Sequence, residues 1–261
     1  ILMQANKNPT IHIGGNLNSI SSSYKLGGNE FFVTEACEYK DTFLDLSPDV
    51  SVILNIDCDH MEYFKTLENL EASFRKFADM STKAVIYNGD DKNTLDSIKG
   101  ISEGKKMISF GKSDECNFVA KNVGYNNGAF PCYELYIDGV NNGRIELNVP
   151  GEHNVLNSLA AIAAAIYCGA SVEQCRKSIL TFKGAGRRFE FLGTYNGADI
   201  VDDYAHHPAE LEVTLSAAKK MDYKRVWAVF QPFTFSRTKM HLNAFAEALS
   251  IADKVVMTEI M

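Results

Sequence analysis

The feature that most constrains this chain is a repeated alternation. Short apolar runs give way to helix-period segments, and the apolar runs break off at acidic or histidine-bearing positions. The run 31–33 leads into Thr34 and Glu35, and the run 50–56 leads into Asp57, Cys58, Asp59 and His60. Behind a Thr66 cap, Leu67, Leu70, Phe74 and Phe77 recur at helical spacing. Residues 84–87 make the next strand, closed by Asn88 and Gly89. Strand, helix, strand in this order predicts an α/β fold with a mostly parallel sheet.

Residues 117–149 change character. The turn dipeptides Asn127-Gly128 and Asn142-Gly143 flank CYELYIDG, which predicts a small antiparallel meander beside the parallel sheet. A helix is expected over 154–168, stopped by Gly169. Ser171 and Gln174 then form a capping box for a helix running to about Phe182. Gly184 and Gly186 read as a joint between domains. Beyond them the alternation restarts: a strand at 200–201, a helix from Pro208, a strand over 226–230, a helix over about 239–251 and a strand over 254–258. Two α/β units hinged at glycines enclose a cleft, where ligands usually bind.

The 261 residues, 46% of them hydrophobic, are enough for one or two domains. A net charge of -7 argues against a nucleic-acid or membrane-surface partner. No apolar run reaches the roughly 20 residues that span a bilayer, and no signal peptide is visible. Six scattered cysteines without metal-ligand spacing fit free thiols in a cytoplasmic protein. The chain opens without Met on ILMQAN, which reads as the last turns of a helix, and stops at KVVMTEIM. The expectation is a fragment.

Several positions can carry chemistry. Glu35 stands where a strand ends, the ligand edge of an open α/β sheet, where a carboxylate can hold Mg2+; the alternative is an ordinary solvated terminus. Asp57, Asp59 and His60 crowd the next strand end, as a divalent-metal site or as a polar turn with His60 capping a helix. Gly14, Gly15 and Asn16 read as a flexible polar loop without phosphate-loop spacing. Asn154 and Asn157, one helical turn apart, can aim two amides at one object, as well as serving as a cap and a buried amide. Arg187 and Arg188 follow the glycine joint, where a guanidinium can meet phosphate, or both are simply solvated. The densest group is Asp202, Asp203, His206 and His207 before Pro208, four ionisable side chains at a strand-to-helix turn. Arg237 follows the next strand and suits a carboxylate; the alternative is a solvated surface residue.

Taken together, IGGNLN, TEACEY, NIDCDHMEYF, PGEHNVLNSLAA, FKGAGRRFEFLG, VDDYAHHPAE and FQPFTFSRT resemble the Mur ligase family, in its order and over nearly the whole chain. GRRFEFLG with DDYAHHP is most similar to the branch that adds L-alanine to UDP-N-acetylmuramate. The AHHP segment is shared with the branch that recycles murein tripeptide. Outside the enzymes, the alternative is a non-catalytic nucleotide-binding α/β module.

The resemblance implies a central ATPase-type domain over residues 1–182 and a Rossmann-like C-terminal domain over 183–261, both incomplete, with the phosphate-binding loop and the uridine domain outside this chain. It implies an ATP-dependent amide ligase of peptidoglycan synthesis, acting through an acyl phosphate with ATP and Mg2+, and a fragment inactive alone. By resemblance Glu35 and His60 hold metal, and Asn154, Asn157, Arg188 and Asp203 meet ATP. His206 and Arg237 lie near the incoming amino acid, and His206 and Arg188 serve the chemistry. Related ligases usually carry His where Phe233 stands, so a polar contact is in question there.

Overall fold

The computed structural model describes residues 1–261. Its first residues form a hydrogen-bonded turn rather than a helix, with the Ala5 amide donating to the Ile1 carbonyl at 2.9 Å. Strand β1 (Thr10–Leu17) then pairs antiparallel with β2 (Ser22–Lys25) and parallel with β3 (Phe32–Thr34), a small sheet of its own. Gly14, Gly15 and Asn16 therefore belong to a strand, not to a flexible loop. The reason is Glu35, whose carboxylate accepts a hydrogen bond from the Gly14 amide at 2.6 Å. A Cβ at Gly14 would stand 2.8 Å from Glu35 Oε2, so the close approach uses the missing side chain.

A 3-10 segment (Tyr39–Asp45) leads to the main sheet, whose six strands lie in chain order. They are β4 (Val50–Ile53), β5 (Ala84–Asn88), β6 (Lys106–Gly111), β7 (Phe118–Asn126), β8 (Phe130–Ile137) and β9 (Val140–Glu146). The pairs from β4 to β7 are parallel and those from β7 to β9 antiparallel. Helices α1 (Met61–Phe64), α2 (Leu67–Met80) and α3 (Lys92–Ile98) connect the early strands; α4 (His153–Tyr167) and α5 (Val172–Thr181) follow the sheet.

Strand β5 shows why this is a layered core. Val85 belongs to the buried cluster that holds Leu70 and Ala78 of α2, whereas Ile86 belongs to the one that holds Leu159 and Ala163 of α4, and both are fully buried. Successive side chains of one strand thus serve opposite faces, as a sheet covered on both sides requires. Alanines along α4 let that helix lie close to the sheet. The Thr66 cap and the Ser171–Gln174 capping box are both formed.

The meander is present, with two differences from the sequence reading. It is hydrogen-bonded into the main sheet through Phe110–Phe118 and Gly111–Val119, because KMISFG forms a strand, β6, that its lysine start concealed. Its second turn is Asp138-Gly139, at φ 47° and 80°. Both central residues have the positive φ of a tight hairpin turn. Asn142 and Gly143 sit inside β9.

The second unit pairs β10 (Glu190–Tyr195) with β11 (Ala198–Asp202) as an antiparallel hairpin, and β12 (Trp227–Phe230) with β13 (Lys254–Met257) in parallel. Helix α6 (Pro208–Lys220) starts on Pro208 as expected. The helix expected over 239–251 begins earlier and is broken into α7 (Phe235–Met240) and α8 (Leu242–Leu249). Thr234 caps the early start, and His241, at φ -111° and ψ 21°, interrupts it. Leu211, Leu215, Phe230, Phe245 and Leu249 form a separate small core. All six cysteines are free thiols. No helix is long and apolar enough to cross a membrane.

The two units touch at the glycine joint, where the Gly186 amide donates to the Asn16 carbonyl at 2.7 Å and Leu17 bridges Ala185. A second contact lies at the β7–β8 turn. Gly128, at φ 79°, packs so tightly that a Cβ would stand 1.9 Å from the Lys220 carbonyl oxygen. An open groove of about 640 Å³, lined by Asn127, Phe130, Lys220 and Tyr223 among others, runs beside this contact, away from the acidic strand ends. Gly128→Ala is expected to cost about 2 kcal/mol or more, from backbone strain and the displaced carbonyl together. Thermal unfolding checks this; an unchanged midpoint would show that the two units do not meet there.

Candidate active site between the two units

The segment after β4 is held open by side chains of the next strand-to-helix turn. Asn88 Nδ2 donates to the Leu54 carbonyl at 2.9 Å, and Asn93 Nδ2 to the Ile56 carbonyl at 2.8 Å. The Asp91 carboxylate accepts from the Ile56 amide at 3.2 Å while capping α3. Residues 57–60 then fold through local turns, with the His60 amide donating to Asp59 Oδ1 at 2.7 Å. His60 sits in the left-handed region at φ 55°, an uncommon place for a residue with a side chain. It stands at the N-cap of α1 without making a side-chain capping bond.

Three acids surround its ring. Nε2 lies 3.6 Å from Glu38 and 3.7 Å from Asp59, Nδ1 lies 3.6 Å from Glu62, and Tyr39 packs on it at 4.6 Å between ring centroids. One ligand atom each from Glu38, Asp59 and His60 falls within 4.8 Å of the others. Two carboxylate oxygens and an imidazole nitrogen form a donor set that suits a divalent cation. Glu35 stands outside this cluster, bonded to Gly14. Glu38, three residues on, takes the place beside His60, a neighbour that charge spacing along the chain does not indicate.

On α4, Asn157 Nδ2 donates to Asn154 Oδ1 at 3.1 Å, and Asn154 Nδ2 donates to the Pro150 carbonyl at 2.7 Å. The two amides thus share one spot, with the Asn157 oxygen left over for a further donor. Neighbouring His153 is within electrostatic reach of the hinge. Burial pushes its imidazole down, Asp203 works against that, and Arg188 adds to it.

Asp203 is the clamp of the hinge. Oδ2 accepts from the Phe189 amide at 2.8 Å and from Thr214 Oγ1 at 3.1 Å, while Oδ1 accepts from the Ala205 amide at 2.8 Å. Arg187 pairs with Asp202 at 3.0 Å and lies 4.7 Å over the Tyr204 ring. Arg188, about half exposed, reaches Glu210 at 3.2 Å. Glu210 also accepts from the His206 amide at 2.9 Å and the His207 amide at 3.2 Å, completing a capping box with His207. Burial works to raise the Glu210 carboxyl, but the His206 amide, the His206 ring and Arg188 outweigh it, and the net shift is down. Glu210 was not singled out in the sequence; its place at the third helical position after a cap was the available signal.

His206 Nδ1 lies 2.9 Å from the Tyr204 carbonyl oxygen. A carbonyl only accepts, so Nδ1 is the donor there, and Nε2 is the ring nitrogen left for a further contact. Phe233 lies 6.2 Å away, ring to ring, and offers only an apolar edge where a polar contact was in question. Arg237, in α7, brings Nη2 to 3.9 Å from Asp59 Oδ1. That contact joins the second unit to the cluster around His60.

His207 packs against His241 at 5.0 Å. Burial pushes its imidazole down, with His241 and Arg237 adding to the shift and Asp59 and Glu210 opposing it. His153 and His207 thus share a direction. Both titrate below the unfolded value of about 6.5, so the stability they contribute is present above that pH and is lost as pH falls towards their folded values. The expected result is a falling unfolding midpoint between about pH 7 and pH 5, flattened in a His153→Gln, His207→Asn variant. Asparagine at 207 keeps a helix cap. An equally steep variant would rule the two rings out.

The fold and cleft define a two-unit α/β protein whose strand ends gather acids, imidazoles and guanidinium groups at one gap. The chain belongs to the Mur ligase family: residues 5–165 match the Mur ligase middle domain and residues 187–260 the Mur ligase, glutamate ligase domain. It is 42% identical over 262 residues to the UDP-N-acetylmuramate--L-alanine ligase of Caldanaerobacter subterraneus subsp. tengcongensis, covering all of this chain and 56% of that relative. The enzyme of the same name from Alkaliphilus metalliredigens is 41% identical over 263 residues, with 100% and 57% covered. The crystal structure of the UDP-N-acetylmuramate-alanine ligase from Thermotoga maritima superposes with a TM-score of 0.83 at 28% identity, covering 100% of this chain and 57% of that one. The chain thus spans a little over half the length of the relatives it matches.

Proposed function

We propose that this chain forms the central and C-terminal parts, dividing near residues 182 and 183, of a cytoplasmic ATP-dependent ligase that joins L-alanine to UDP-N-acetylmuramate in peptidoglycan precursor synthesis. The observation that carries the reading is the meeting of the His60 cluster with Arg237 across the gap, 3.9 Å from Asp59 to the guanidinium. The full-length relatives at about 40% identity, all named for that reaction, supply the substrates.

In this reading the muramate carboxylate attacks the γ-phosphate of ATP and expels ADP, giving an acyl phosphate; the L-alanine amine then attacks its carbonyl carbon and, as it loses a proton, displaces phosphate. Such transfers need charge neutralisation and positioning more than covalent help. Asn154 and Asn157 would face the adenine, Asp203 the ribose and Arg188 the phosphates. Glu35 and His60 would hold Mg2+, with Glu38 and Asp59 completing the donor set at His60; a bound cation neutralises phosphate charge. Arg237 would bind the amino-acid carboxylate, leaving His206 Nε2 to orient the amine. Closing the cleft about residues 184–186 would keep water from the acyl phosphate.

The test is phosphate release by the full-length protein with ATP, Mg2+ and UDP-N-acetylmuramate, using a panel of amino acids and the murein tripeptide. Release that requires L-alanine supports the reading. Release with tripeptide alone selects the recycling branch, and no release with any amine contradicts a ligase.

A further inference from the structure

Arg237 and His60 answer to two different substrates in the proposed reaction, and a single side chain, Asp59, links them. Its Oδ1 accepts from the His60 amide at 2.7 Å and lies 3.9 Å from Arg237 Nη2, and its Oδ2 lies 3.7 Å from His60 Nε2. Asp59 is in the first unit and Arg237 in the second, so the contact crosses the cleft.

We infer that Asp59 is a positioning residue for the amino-acid subsite: it steadies the Arg237 guanidinium from across the gap, ready to receive a carboxylate. This rests on the ligase reading above. The geometry favours support over competition. Arg237 meets Asp59 through Nη2, and a guanidinium has five N–H donors in a planar fork, so one nitrogen can be held while another edge takes a bidentate carboxylate. Arg237 is also anchored at its own backbone, where its amide donates to Thr234 Oγ1 at 3.4 Å. Helix α7 spans only six residues and buries none of its side chains, so little else fixes the guanidinium. The surrounding charges agree. His207, at the N-cap of α6, packs on His241 at 5.0 Å, and it feels Arg237 and His241 on one side of the balance and Asp59 and Glu210 on the other; of these two acids, Asp59 is the one supplied by the opposite unit.

The test is Asp59→Asn in the full-length protein. Asparagine keeps the volume and the acceptor for the His60 amide but removes the charge that meets Arg237. Because Asp59 also stands in the donor set at His60, rates are compared at saturating Mg2+, where the expected result is a rise of about two- to fivefold in KM for the amino substrate, the range a part-exposed ion pair supplies, larger than any rise in KM for ATP. Asp59→Glu, which restores the charge, should recover part of the loss. An unchanged or lowered KM for the amino substrate, or an equal rise for ATP, would overturn the inference. A second readout needs no substrate: backbone hydrogen exchange over residues 234–241 should speed up in Asp59→Asn. Unchanged exchange also overturns the inference. If the amine proves to be something other than L-alanine, KM is measured for that amine and the exchange result still stands, so failure of the ligase reading and failure of the Asp59 contact are told apart.

Discussion

Replacing His60 with alanine in the full-length protein is expected to lower kcat about a hundredfold or more. The expectation comes from how the ring is held. His60 takes a left-handed backbone conformation, receives a side-chain contact from each of Glu38, Asp59 and Glu62, and is covered by Tyr39. A strained backbone bearing an imidazole among carboxylates is an arrangement that persists when its surroundings over-determine it. Alanine removes the one nitrogen donor of the cluster and leaves the acids to repel one another. Glu35→Ala should lower kcat as well, through a different point of the cleft, because its carboxylate is bonded to Gly14 and not to the cluster. Initial rates measured over a Mg2+ series check both. Near-normal turnover of His60→Ala at saturating Mg2+ would remove its metal role.

Asp203→Ala is expected to lower stability by about 3–5 kcal/mol and to weaken ATP binding. The stability loss follows from three donors left without their charged acceptor: the amides of Phe189 and Ala205 and the hydroxyl of Thr214. Those bonds tie the segment after the glycine joint to β11 and α6, so the hinge loses its fixed geometry. ATP binding should fall because the ribose and phosphate contacts proposed for Asp203 and Arg188 are set by that geometry. Asp203→Asn, which keeps an acceptor of similar shape, should be destabilised less. Chemical denaturation and nucleotide titration separate the two roles. If stability falls while ATP affinity holds, Asp203 is a hinge clamp only and its ribose role is withdrawn.

The parts of the fold that could be read from sequence were those with a local cause. Thr66, and Ser171 with Gln174, set helix starts through bonds within three residues, and Pro208 sets one through its fixed φ; all three starts are present. The parts that could not be read depend on distant partners. β6 forms because its residues 106–110 pair with β5, although its own pattern is weak. Gly14 joins a strand because a carboxylate 21 residues away takes its amide. Asp138-Gly139 and Asn142-Gly143 suit a tight turn equally well as dipeptides, and pairing across β8 and β9 chose the first.

The candidate site divides the same way. The acidic strand ends and the DDYAHHP turn were visible because several ionisable groups fell close together in sequence. Glu38, Glu210 and the tie from Asp59 to Arg237 were not, since each matters through a contact made in space. The amides of Asn154 and Asn157 do converge, but by bonding to each other, which no spacing argument specifies.

A crystal structure of the full-length protein with Mg2+ and a non-hydrolysable ATP analogue probes the shared cleft most directly. The nucleotide should lie between the α4 amides and the Arg188–Asp203 hinge, with cations at Glu35 and at His60. A nucleotide held by the first unit alone, with Arg188 and Asp203 turned away and no cation beside His60, would contradict the account.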